Sequence, residues 1–250
     1  MRPIRLIFLL SILTCSPEHP AEIRHNRFIE TLNSAAQIGD LTVLTDDNRT
    51  IYPMFAVGDS IMYFRRLLVA DAADTTGRNP EELIKPFGIR ISDKQLYTLS
   101  EDYHYPEKAG IPTQGLPTRY GETIVWAVES PDGKTVAYET IVGRLQNSRI
   151  VYLARGDSTV QLTYGDIPCF IDRFSNTGRY LTVICGYGPS WIIIFDMEKN
   201  IGYKIDRDGD SVDYMTLFSS DDKSMVFIRS QKKYSYEYDF FGDICLFKFR

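Results

Sequence analysis

The chain has 250 residues, 44% hydrophobic and 24% charged, which is enough for one sizeable domain with a substantial core. A net charge of −5 and the lack of any long basic run exclude the electrostatic footprint of a nucleic-acid-binding protein. With only His19, His25 and His104 and no Cys-x-x-Cys pair, a zinc site is excluded as well.

In chain order, the first element is a leader. "MRPIRLIFLLSILTC" carries two arginines, then an apolar run from Leu6 to Leu13, then Cys15. That is the pattern of a secretory signal over residues 1–14, too short to span a bilayer as a finished helix. Cys15 stands where a bacterial lipoprotein carries its lipidated cysteine, although Thr14 is an unusual residue before it; the alternative is ordinary secretion with Cys15 inside a discarded leader. The polar stretch that follows reads as a tether or N-terminal extension over residues 15–38, and the folded domain as residues 39–250. A lipid on Cys15 would hold that domain on a membrane without a second span.

The chain then shows a repeat, and 16 Tyr and 14 Phe with much Val, Ile and Thr favour pleated sheet for it. Four segments align: "FAVGDSIMYF" from Phe55, "ESPDGKTVAY" from Glu129, "FSNTGRYLTV" from Phe174 and "FSSDDKSMVF" from Phe218. Each reads as a strand end, a polar turn rich in Gly, Asp, Asn, Pro or Ser, and an apolar strand. The turn residues that define the pattern are Ser130, Asp132, Gly133, Ser175, Gly178, Ser219 and Asp221. A short apolar strand precedes each of the last three: "TIVWAV" at 123–128, "IPCFID" at 167–172 and "VDYMTL" at 212–217. An unbroken apolar run follows each of them: "RIVYLA" at 149–154, "WIIIFD" at 191–196 and "DICLFKF" at 243–249. Such runs imply strands buried on both faces. "TVQLT" and "IGYKI" supply weaker fourth strands, and "LTVLT" at 41–45 falls where the last unit lacks one. The longer interval after Phe55 could hold a degenerate blade, but reads better as an insertion, with "PEELIK" as a short helical turn.

Four strands per unit of this length, with both faces covered, describe a β-propeller blade. "SPDGKTVAY" resembles the TolB-type (WD-like) propeller repeat, with weaker copies at Phe174 and Phe218 and a degenerate one at Phe55. The resemblance covers about residues 39–250 and implies an all-β propeller; the phasing of the repeat itself gives about four recognisable four-stranded blades, which the N-terminal strand "LTVLT" would close, although propellers of related families usually have more blades. It also implies an interaction scaffold of the bacterial envelope; the functions of such propellers are diverse, so the site residues must speak for themselves.

Gly58-Asp59-Ser60 mimics the nucleophile block of the SGNH esterases, but no histidine lies beyond His104 to act as base. Gly-Asp-Ser recurs at 156–158 and 209–211, also between strands, so it is turn chemistry. No catalytic residue, cofactor or metal is therefore expected, and the chain reads as a non-enzyme with an envelope protein as partner. Two alternatives remain. One is a glycan-active hydrolase or lyase using Asp132, Asp172 and Asp196; the other is a calcium-dependent adhesin using the acidic loop 206–213. The EF-hand pattern fails in that loop, because its sixth and twelfth positions are Ser211 and Leu217. Cys169 and Cys185 flank one hairpin and face each other, either as a disulfide or as two small buried hydrophobes. Trp126 and Trp191 read as packing residues. Tyr234, Tyr236 and Tyr238 alternate along one connection beside Lys232 and Lys233 and form the candidate binding surface.

Overall fold

The computed structural model describes residues 23–25, 32–47, 49–56, 60–67, 84–99, 110–119, 121–142, 149–163, 167–186, 189–206, 211–230 and 242–250. They form an all-β structure of four sheets. Sheet I is the meander β4 (Thr50–Ala56), β5 (Ile61–Leu67), β6 (Ile84–Arg90) and β7 (Leu96–Thr98). Sheet II is β8 (Glu122–Glu129), β9 (Val136–Val142), β10 (Arg149–Arg155) and β11 (Ser158–Gln161), with β1 (Ile23–His25) added in parallel on β11. Sheet III is β12 (Cys169–Phe174), β13 (Tyr180–Cys185), β14 (Trp191–Asp196) and β15 (Ile201–Lys204), with β2 (Asn33–Ser34) in parallel on β15. Sheet IV is β16 (Val212–Phe218), β17 (Ser224–Ser230) and β18 (Asp243–Phe249), and β3 (Gly39–Val43) pairs antiparallel with β18 as its fourth strand.

The unbroken apolar runs become third strands. Ile192 to Asp196 of β14 and Ile244 to Phe247 of β18 are buried without a break. Their two faces meet different neighbours, which is why they do not alternate. Val151 and Leu153 of sheet II pack with Leu181, Val183, Ile193 and Phe195 of sheet III. Ile192 and Ile194 on the opposite face of β14 pack with Phe227, Cys245 and Phe247 of sheet IV. Val226, Ile228, Ile244 and Leu246 then meet Met62, Phe64 and Ile89 of sheet I. The sheets thus pack in the order II–III–IV–I, and each large apolar side chain so buried contributes about 1.5–3 kcal/mol. On the outer face of sheet II, Tyr138 and Tyr152 stack at 5.3 Å and are covered by Ile111 and Leu116 of the connection leading into β8.

The structure departs from the sequence reading at the expected helical turn. Ile84 and Lys85 of the expected helical turn lie in β6, which pairs with β5 along its length, because Ile89 and its neighbours there join the apolar contact with sheet IV. Residues 80–83 fall outside the described residues. Within the segment read as a tether or N-terminal extension, residues 23–25 and 33–34 form β1 and β2 and are tied to sheet edges by backbone pairing.

Candidate functional site

The repeat turns share one hydrogen-bond pattern. In the first, the Ser130 hydroxyl accepts from Thr135 N at 3.0 Å and donates to Asp132 Oδ1 at 2.7 Å, and Asp132 Oδ1 accepts from Lys134 N at 3.1 Å. Ser219 and Asp221 repeat this with Ser224 N, at 2.9 Å, and Lys223 N, at 3.0 Å. Ser175 accepts from Tyr180 N at 3.1 Å in the same way, with Thr177 Oγ1 in place of the aspartate. The Ser130 hydroxyl and the Lys134 amide hold Asp132 below the usual carboxylate range, and the Lys223 amide and Ser219 do so for Asp221. The fourth turn residue is left-handed in all three: Gly133 at φ 69°, Gly178 at φ 76° and Asp222 at φ 57°. These turns are therefore structural. Ser60 precedes β5, exposed, and its carbonyl accepts from Ile91 N at 3.1 Å; residues 57–59 of its turn fall outside the described residues.

Asp222 does more than close its own turn. Its carboxylate accepts from Asn176 N at 2.9 Å, Asn176 Nδ2 at 3.1 Å, Thr177 N at 2.8 Å and Thr177 Oγ1 at 2.6 Å, clasping the turn of sheet III to that of sheet IV. Asp222→Ala is expected to lower unfolding free energy by about 2 kcal/mol, through the lost acceptors and an alanine placed at positive φ. Asp222→Gly should recover about 1 kcal/mol of that. Equal urea midpoints for the two variants would show that the backbone conformation contributes nothing.

The carboxylates of the hydrolase or lyase alternative have structural partners. Asp132 holds its turn, as above. Asp172 Oδ2 accepts from Thr216 N at 2.7 Å and from the Thr216 hydroxyl, where β16 bulges. Asp196 Oδ1 accepts from Glu198 N and Lys199 N, both at 3.1 Å, and its Oδ2 accepts from Arg179 Nη2 at 3.2 Å. In the acidic loop, Asp213 is gripped bidentately by Arg229, at 2.8 Å to each oxygen, and Asp206 Oδ2 accepts from Ser34 Oγ at 2.5 Å. Residues 207–210 lie outside the described residues.

Cys169 and Cys185 stand opposite each other on β12 and β13 and are joined as a disulfide, with Cα atoms 4.1 Å apart. Cys245 is a buried free thiol, and burial pushes it up to about 12, so it is an inert core group. Trp126 and Trp191 pack against the core between sheets II and III, and Lys204 Nζ lies 4.8 Å from the Trp191 ring. Cys15 and the tyrosine surface Tyr234, Tyr236 and Tyr238 fall outside the described residues.

The sequence reading missed one feature: a pocket of about 460 Å³ where the end of β3 meets sheet I. Val43, Leu44 and Leu96 give it apolar walls, and Asp46, Asp47, Arg66 and Lys94 line it as well. The Asp47 carboxylate is held by Arg49 Nε at 2.9 Å and by Arg66. Lys94, itself at φ 57°, reaches across and donates to the Val43 carbonyl at 2.8 Å. Nothing in the sequence marks this site, because its walls come from residues 43–47, Arg66, Lys94 and Leu96 and meet only in the fold.

No family model matches the sequence, and no curated protein matches it. Solved structures that resemble it include the putative TolB from Agrobacterium tumefaciens, at 12% identity and a TM-score of 0.34, over 80% of this chain and 60% of that one. An oligogalacturonate lyase in complex with manganese gives 14% and 0.33, over 80% of this chain and 48% of that one. Prolyl oligopeptidase B from Galerina marginata gives 12% and 0.34, over 71% of this chain and 23% of that one. The chain spans less than two thirds of the length of each.

Proposed function

We propose that this chain is a non-catalytic, four-bladed β-propeller of TolB type that is exported to the bacterial cell envelope, anchored through a lipid on Cys15, and binds a protein partner there. The observation that carries this reading is the use of its carboxylates. Asp172, Asp196 and Asp213 are all buried, and each is bound to backbone amides or a guanidinium that the fold needs. A hydrolase or lyase would instead aim two such groups at a substrate.

Three further features support the reading. The sheets are meanders that pack in sequence, as blades do. β3 completes the last of them, in the manner of a closing strand. The Cys169–Cys185 disulfide suits an oxidising compartment. In this reading the connection ahead of β8 covers Tyr138 and Tyr152 on the outer face of the second blade.

Pull-down from envelope extracts with the wild type and with Cys15→Ser tests anchoring and partner together. The wild type is expected to fractionate with membranes and recover a specific protein, and Cys15→Ser to fractionate as soluble. A wild type that is itself soluble and recovers nothing specific would overturn the proposal.

A further inference from the structure

The outer edges of the four sheets are treated differently. Sheets II and III each receive a fifth strand in parallel: β1 on β11, with Ile23 opposite Thr159, and β2 on β15, with Asn33 opposite Tyr203. Sheet IV ends at β3, and among the described residues no strand lies on it. An open edge is a template for another chain.

The orientation of that edge follows from its terminal hydrogen bonds. Leu44 N donates to the Ile244 carbonyl, and Arg250 N donates to the Ile38 carbonyl, both at 2.8 Å. Backbone groups alternate in direction along a strand, so the even-numbered residues from 38 to 44 face β18. Those of Gly39, Leu41 and Val43 face outward, and the Val43 carbonyl does meet Lys94 there. Leu41 and Val43 are 38% and 42% exposed, and Leu96 across the pocket is 39% exposed. An edge with outward donors and acceptors, exposed apolar side chains and an adjoining pocket has the parts needed for strand addition with side-chain selection.

We infer that the β3 edge is where the partner docks, as an extended segment that adds a fifth strand to sheet IV and seats one large apolar side chain in the pocket of Val43 and Leu96. This rests on the scaffold reading and gives the partner a chemistry. The occupant follows from the fold's own precedents, in which the two preceding sheets are capped by short extended segments. Charge narrows it further. An incoming N–H takes the Val43 carbonyl and releases the Lys94 ammonium, which a carboxylate on the segment then neutralises. Asp47 cannot repel that carboxylate strongly, because Arg49 and Arg66 already hold it, and Asp46 sits on the loop beyond the edge.

Two capped hexapeptides test this on the full chain: Thr-Val-Phe-Val-Asp-Thr, and the same peptide with Lys for Asp. The acidic peptide is expected to slow hydrogen exchange at the Leu41 and Val43 amides and to bind about fivefold tighter than the basic one. Lys94→Glu should reverse that preference, and Val43→Lys should abolish binding of both at an unchanged thermal midpoint, since both side chains are exposed. Failure of the acidic peptide to slow those amides, or an unchanged preference in Lys94→Glu, would overturn the inference. Slowing that rises with protein concentration and needs no peptide would also overturn it, assigning the edge to a second copy. A pull-down partner that still binds Val43→Lys would remove the edge and leave the scaffold reading standing.

Discussion

Replacing Asp213 by alanine is expected to lower the unfolding free energy by about 3–5 kcal/mol, measured by urea denaturation. Asp213 has 0% side-chain exposure and Arg229 has 9%. The guanidinium presents Nε to Oδ1 and Nη2 to Oδ2, each at 2.8 Å, and Nη2 also donates to the Asp206 carbonyl at 3.0 Å. The fork therefore fixes three pieces at once: β16, β17 and the loop after β15. The pair as a whole need not stabilise the fold, because desolvating two charges offsets much of their attraction. Removing one member is different, since alanine strips a buried guanidinium of its counter-charge. Asp213→Asn keeps the shape and one good acceptor, so it should cost less. The double variant Asp213→Leu/Arg229→Met should recover most of the loss, because it leaves no buried charge behind. A loss below about 1 kcal/mol in Asp213→Ala would mean that water reaches the guanidinium and that the pair is a surface contact.

What could be read from the sequence was whatever local chemistry decides. The Ser130, Ser175 and Ser219 turns were legible because each hydrogen bond closes within five residues, and the side chains that make it sit at fixed offsets. The third strands were legible because burial on both faces leaves an unbroken apolar run, as at Trp191–Asp196. The Cys169–Cys185 register followed from the centre of a single hairpin.

Long-range partners left no such mark. Asp222 looks like one more turn aspartate, and its four donors lie across a sheet boundary. It also occupies a left-handed position that Gly133 and Gly178 fill in the other turns, so its identity is set by the clasp and not by the backbone alone. β1 and β2 are three and two residues long and lie on edges that other elements supply, so no periodicity of their own could reveal them. The Lys94 pocket is hidden for the same reason. Its chemistry exists only where β3 and sheet I converge.

How one sheet registers on the next also depends on partners far apart in the chain. Glu139 of β9 reaches into sheet III, where its Oε1 accepts from Ile171 N at 2.7 Å while its Oε2 accepts from Arg149 Nη1 at 2.8 Å. Asp172 of β12 makes the equivalent reach into sheet IV, taking Thr216 N and the Thr216 hydroxyl. Both receiving strands are irregular at these points, with register shifts between Ile171 and Arg173 and between Tyr214 and Leu217. A bulge turns backbone donors out of their own ladder, and a carboxylate from the preceding sheet accepts them. Glu139 is 3% exposed and Asp172 is 1% exposed, so water is a poor substitute at either place. Asp172→Ala is therefore expected to cost about 3 kcal/mol, from the lost charge-assisted bonds and the buried donors deprived of their acceptor. Asp172→Asn should cost about 1–2 kcal/mol, because its amide oxygen still reaches Thr216 N. Stability alone would not separate this role from ordinary packing, but amide exchange does. Exchange at Thr216 should accelerate in Asp172→Ala with Ile171 unchanged, and exchange at Ile171 should accelerate in Glu139→Ala with Thr216 unchanged. If each variant accelerates both amides equally, the carboxylates act through global stability and the sheet-to-sheet pinning is wrong.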